Sequence, residues 1–97
     1  MFQKLECVCL YTADIAASLA FYVSLGLEQA WRIERVSASG VPSSLIGLKF
    51  PRADSSELVL SDNAEVNFTE VEIQVDDVRG AHEALSANPQ VTWIRTP

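Results

Sequence analysis

Basic residues are few in this chain, and they are scattered. Seven Lys and Arg stand against 13 Asp and Glu among 97 residues, a net charge of −6, and no two basic residues are adjacent. Binding nucleic acid through its phosphates needs clusters of Lys and Arg, so that class is excluded. An acidic balance of this size serves solubility and steers weakly toward cationic ligands. No apolar run approaches the roughly 18–20 residues that a membrane span requires, and no membrane partner is expected. The opening MFQKLEC has no basic segment followed by an apolar one. No secretory signal is read there, and a cytoplasmic location is expected.

Glycine, histidine and cysteine are scarce as well. Four Gly are spread through the chain, so there is no glycine loop to cradle a phosphate, and no GxSxG presents a serine nucleophile. The one histidine, His82, falls on a predicted helix, where a lone His is usually a surface or partly packed residue. Cys7 and Cys9 sit two apart on a predicted strand. They share a face but lie about 7 Å apart along it, too far and too parallel for an easy disulfide. Reduced thiols are expected, in keeping with the cytoplasm. No CxxC pair or Cys/His cluster of zinc spacing exists.

What the chain does contain is a loose internal repeat at an offset of 63 residues. CVCLYTADIAASLAFY (7–22) and EVEIQVDDVRGAHEAL (70–85) each read as a strand, an aspartate and a helix. In the first copy Val8, Leu10 and Thr12 share a strand face, and Asp14 is positioned to cap a helix with an apolar stripe of Ile15, Leu19, Tyr22 and Val23. Gly26 supplies the stop. In the second copy Val71, Ile73 and Val75 share a face, Asp77 is the cap, and the helix runs to about Leu85.

Between the copies, strands are expected at about 27–36, 45–50 and 57–60, with turn-rich SASGVPSS (37–44) and PRADSS (51–56) as links. The expected fold is α+β: one domain over 1–97, with a βαβββ unit at about 4–61 and a second at about 67–97. Gln90 to Ile94 is read as one more strand. By the offset a complete second unit would pass residue 120, so it is expected to lack its last two strands. An unfinished sheet leaves edge groups unpaired and apolar surface open, which argues for a homodimer.

The block DIAASLAFYVSLGL, following a strand and followed by Trp31 and a strand meander, resembles the vicinal oxygen chelate superfamily. That group includes glyoxalase I, bleomycin resistance proteins and extradiol dioxygenases. The resemblance rests on Asp14-Ile15, Ser18, Phe21-Tyr22 and Leu25-Gly26, then on ELVLSD (57–62) and VEIQVDDV (71–78). It implies paired βαβββ modules forming a concave mixed sheet, often completed by a second copy. Phe21, Tyr22, Leu25 and Leu27 are expected in the core.

The resemblance also implies where metal ligands would stand. Cys7, Glu57 and Glu70 fall at three of the four positions where members usually carry His, Gln or Glu. Enzymatic members combine imidazole with carboxylate around a divalent metal. Here no imidazole falls at such a position, and a Cys/Glu/Glu set is an uncommon one.

If Val8 and Leu10 pack on the first helix, alternation puts Cys7, Cys9, Tyr11, Glu57, Val59, Glu70, Glu72 and Gln74 on the opposite, concave face. Tyr11, Trp31, Ile46, Leu48 and Phe50 are candidates for apolar walls of a ligand groove there, with Glu57, Glu70 and Glu72 as fixed negative charge. Such a groove suits an aromatic or cationic small molecule held by stacking and charge. Two readings from different classes follow. One is a non-catalytic binding module needing no cofactor. The other is a metal-dependent lyase or dioxygenase using Cys7, Glu57 and Glu70. A decayed member without activity is a third.

Overall fold

The computed structural model describes all 97 residues. Five strands and two helices follow in the order β1 (Phe2–Tyr11), α1 (Ile15–Ser24), β2 (Glu28–Val36), β3 (Pro42–Lys49), β4 (Glu57–Ser61), β5 (Glu70–Val75) and α2 (Val78–Ser86), with a short 3-10 turn at Ala64–Val66. The fold is α+β. All five strands form one mixed sheet in the order β2-β3-β4-β1-β5, in which β1 and β4 are parallel and the other neighbours antiparallel. No helix is long and apolar enough to cross a membrane.

Helix α1 starts where the Asp14 carboxylate accepts from the Ala17 amide at 3.0 Å, filling one of the donors that a helix start leaves open. It stops at Gly26, whose φ of 103° suits a residue without a Cβ. There the Leu27 amide reaches the Tyr22 carbonyl and the Gly26 amide reaches that of Val23. This is a Schellman closure, with its usual apolar contact between the residue after the glycine and the last turn. Ile15, Leu19 and Tyr22, at i, i+4 and i+7, pack onto buried Leu27, Ile46, Leu48 and Leu60. Each of those four aliphatic side chains contributes roughly 1.5–3 kcal/mol by leaving water. Phe21 and Leu25 point away from this core and are 57% and 63% exposed, contrary to the sequence reading. They lie on the other side of the stripe.

The two helices are capped alike. Asp77 caps α2 as Asp14 caps α1, accepting from the Gly80 amide at 3.1 Å, and 77 and 80 stand 63 residues beyond 14 and 17. Val8 and Val71, also 63 apart, face each other directly in the β1–β5 ladder. The segment 90–94 forms no strand. Its Trp93 ring packs on His82, and the Trp93 Nε1–H donates to Ser86 Oγ at 3.0 Å, tying it to α2 and away from any sheet edge.

The molecule is thin, 43 × 38 × 19 Å, and only 11 residues are buried. Helix α1 packs over β2 and β4, whereas α2 packs on no strand to a similar extent. The back of the β1–β5 ladder, on the α1 side of the sheet, is therefore open. Apolar residues recur every three positions in β1 (Phe2, Leu5, Val8) and every two in β5 (Val75, Ile73, Val71). Two register irregularities in β1 reconcile the spacings and pair them Phe2–Val75, Leu5–Ile73 and Val8–Val71.

Candidate functional site

The face opposite α1 carries a groove of about 530 Å³. Its floor follows from strand register, because residues paired across a sheet point to the same side. One row runs Trp31, Gly47, Val59, Cys9, Glu70 across all five strands. The next, toward the start of β1, is Glu57, Cys7, Glu72. In the other direction lie Ile33, Leu45 and Ser61, then Arg35 and Ser43. Cys7, Cys9 and Val59 form the buried floor, with Trp31 and Leu45 packed against them.

Trp31 lies flat across β3 because position 47 has no side chain. A Cβ there would overlap the indole Cε2 and Nε1 and stand 2.6 Å from Cζ2. In that pose the indole Nε1–H donates to Glu57, 3.1 Å from Oε2. The Cys7 thiol donates to Glu72 Oε2 at 3.2 Å. Burial first, then this bond and the nearby charges of Glu72 and Glu57, push the Cys7 thiol from 9.0 up to about 12. Burial and the carboxylates of Glu70 and Glu72 raise the Cys9 thiol too. Both cysteines are free and held as neutral thiols, poor nucleophiles at neutral pH. Four glutamates (6, 57, 70 and 72) face two arginines (35 and 95) on the lining. None of Glu57, Glu70 and Glu72 has a Lys or Arg within 4 Å, so the groove is net negative.

Of the residues expected in the groove, Trp31 and Glu72 line it, as do Cys7, Glu57 and Glu70. Leu48 and Ile46 do not. Both are fully buried on the opposite face, beneath α1, because β3 presents its more apolar set of alternate residues to the dry side. Phe50 lies past the end of β3, over a separate shallow depression beside Pro51. Tyr11 pairs with Ser61 but is the last residue of β1 and stops short of the lining.

The same one-residue shift on β3 hid Ser43 and Leu45, which do line the groove. The signal was present in sequence: Ile46 and Leu48 are the greasier alternate set, and that set goes to the core. Arg35 shares the face of Trp31 and Ile33 and lines the groove with them.

The chain matches no family model, no curated protein and no solved structure.

The three residues expected to hold a divalent metal are divided between two cross-strand pairings. Glu70 stands opposite Cys9, while Cys7 faces Glu57 and Glu72. Cys7 holds its proton toward Glu72, and Glu57 accepts from Trp31. No group of three or more His, Cys, Asp or Glu side chains converges at ligand spacing. His82 lies on α2 against Trp93, away from the lining.

Proposed function

We propose that the concave face binds an aromatic or cationic small molecule without transforming it, in the manner of the bleomycin-resistance-like members of the vicinal oxygen chelate superfamily. The observation that carries this reading is the groove itself, with an indole fixed on one wall and unpaired carboxylates beside it. An indole face with nearby carboxylates favours a flat cation, by about 0.5–2 kcal/mol for the ring contact alone. Catalysis has weaker support. The two thiols are held protonated, and the one imidazole packs on Trp93 outside the lining.

The same reading makes the chain one βαβββ unit followed by the opening of a second, related by a two-fold through Val8 and Val71. The matching helix caps and the direct opposition of those two valines support it.

Calorimetric titration with N-methylquinolinium, against naphthalene-2-sulfonate as the anionic control, tests the proposal. Saturable binding of the cation, lost in Trp31→Leu and weakened in Glu57→Gln, is expected. Equal binding of both probes, or binding indifferent to Trp31, would refute it. Stoichiometric zinc, nickel, manganese or iron carried through purification under reducing conditions and lost in Glu57→Ala would favour the metal-dependent enzyme instead.

A further inference from the structure

The charges that the strands bring to the groove are sorted by sign. Each step of two residues along a strand moves one row along its floor. The row of Glu57, Cys7 and Glu72 stands at one end, with Glu6 just before Cys7 on β1. The row of Trp31, Val59, Cys9 and Glu70 follows, then that of Ile33 and Leu45. Arg35 and Ser43 close the other end. Three such steps separate the Glu57 row from the Arg35 row, about 20 Å of strand. The Trp31 indole, Ile33 and Leu45 form an apolar stretch between them.

Arg35 is free of any carboxylate. Of the seven basic residues, Lys4, Arg32, Lys49 and Arg52 form ion pairs. Arg35, Arg79 and Arg95 remain, and two of these three, Arg35 and Arg95, line the groove. Register fixes the place of Arg35, whereas Arg95 joins the lining from the segment beyond Trp93. Glu34, next to Arg35 in the chain, turns to the other face, where it accepts from Arg32 and Ser44. A groove that held only cations would gain nothing from a free arginine, which weakens the field that draws them.

We propose that the ligand is a zwitterion: a flat cation over the Trp31 indole beside Glu57 and Glu72, joined to a carboxylate or similar oxyanion that Arg35 holds at the far end. The proposal rests on the reading of this groove as a site for an aromatic or cationic small molecule, and narrows it. The planar guanidinium fork suits an oxyanion, and Ser43 opposite Arg35 adds a hydroxyl at the same end. A groove of about 530 Å³ has the size of a site for an elongated molecule of this kind.

Calorimetric titration with two probes of one shape tests it. The first is N-methylquinolinium bearing a propanoate on the ring edge opposite its nitrogen. The second is the matching propanamide, which keeps the cation and loses the anion. Charge alone favours the amide, because the protein carries a net −6. The zwitterion should nonetheless bind about fivefold tighter, the gain of a good ion pair open to solvent. That preference should vanish in Arg35→Gln and persist in part in Arg35→Lys. Arg79→Gln removes the same charge away from the lining and should leave the preference intact. An amide that binds as tightly as the zwitterion overturns this inference and leaves the cation-binding reading standing. A preference that survives Arg35→Gln, or that Arg79→Gln abolishes equally, overturns it too. If neither probe binds, the reading of the groove fails and the zwitterion falls with it.

Discussion

Replacing Gly47 with alanine should evict the Trp31 indole. The new methyl would overlap two ring atoms and press a third at 2.6 Å, so the ring must lift off β3. Forcing a methyl into filled space costs about 1–3 kcal/mol. Lifting the ring also breaks the indole bond to Glu57, worth about 1 kcal/mol for a half-buried pair. Against this, alanine restricts the unfolded chain and returns about 0.4–1 kcal/mol. The net loss is about 1–3 kcal/mol, or a fall of roughly 5–20 °C in Tm for a domain of this size.

Thermal melts followed by circular dichroism give the size of the loss, and near-ultraviolet dichroism reports the freed indole. The decisive control is the double variant. In a Trp31→Leu background the obstacle is gone, so Gly47→Ala should become neutral or mildly stabilising. A Gly47→Ala protein that melts at or above wild type would refute the reasoning. So would a loss that persists undiminished without Trp31.

The two matching helix caps should behave differently. Asp14→Ala should cost about 0.5–2 kcal/mol of global stability, read as a lower urea midpoint, because α1 covers the main core. Asp77→Ala should leave that midpoint nearly unchanged and speed amide exchange across 78–86, since α2 packs on no strand to a similar extent. The Cys7 thiol supplies a pH test. Its proton is held from 9.0 up to about 12 in the fold, so the unfolded chain releases a proton first and stability falls as pH climbs through that window. Urea midpoints should drop across it, less steeply in Cys7→Ala, and a disulfide reagent at neutral pH should label Cys7 only after unfolding. Prompt labelling of the folded protein would contradict this.

Much of the fold was legible because the signals are local. Asp14 and Asp77 announced both helices, Gly26 ended the first, and strict alternation over 70–75 marked β5. The start of β3 was not. Pro42, Ser43 and Ser44 read as a turn, yet Ser44 is buried because partners from both flanks satisfy it. Its amide donates to Asp62 at 2.7 Å and its hydroxyl to Glu34 at 2.6 Å. Those partners lie 18 and 10 residues away, beyond the reach of a local pattern. The groove was half legible for a similar reason. Strands β1 and β4 have one apolar and one mixed face that alternation can sort, whereas β3 carries a leucine on each face, and only the neighbours Ile46 and Ser43 tell the Leu48 side from the Leu45 side. The assignment of Gln90–Ile94 as a strand failed because Trp93 finds its partners on α2.

The opposition of Val8 and Val71 has a consequence for the floor beside them. Positions that correspond under the repeat, 7 with 70 and 9 with 72, sit on the diagonals of the ladder, so each thiol of β1 is opposed by a carboxylate of β5. Two identical copies would have gathered four carboxylates, which repel, or four thiols into one small square. Instead the two thiols stand side by side along β1 and the two carboxylates side by side along β5. One side of that floor is thiol and the other carboxylate, so it has a head and a tail.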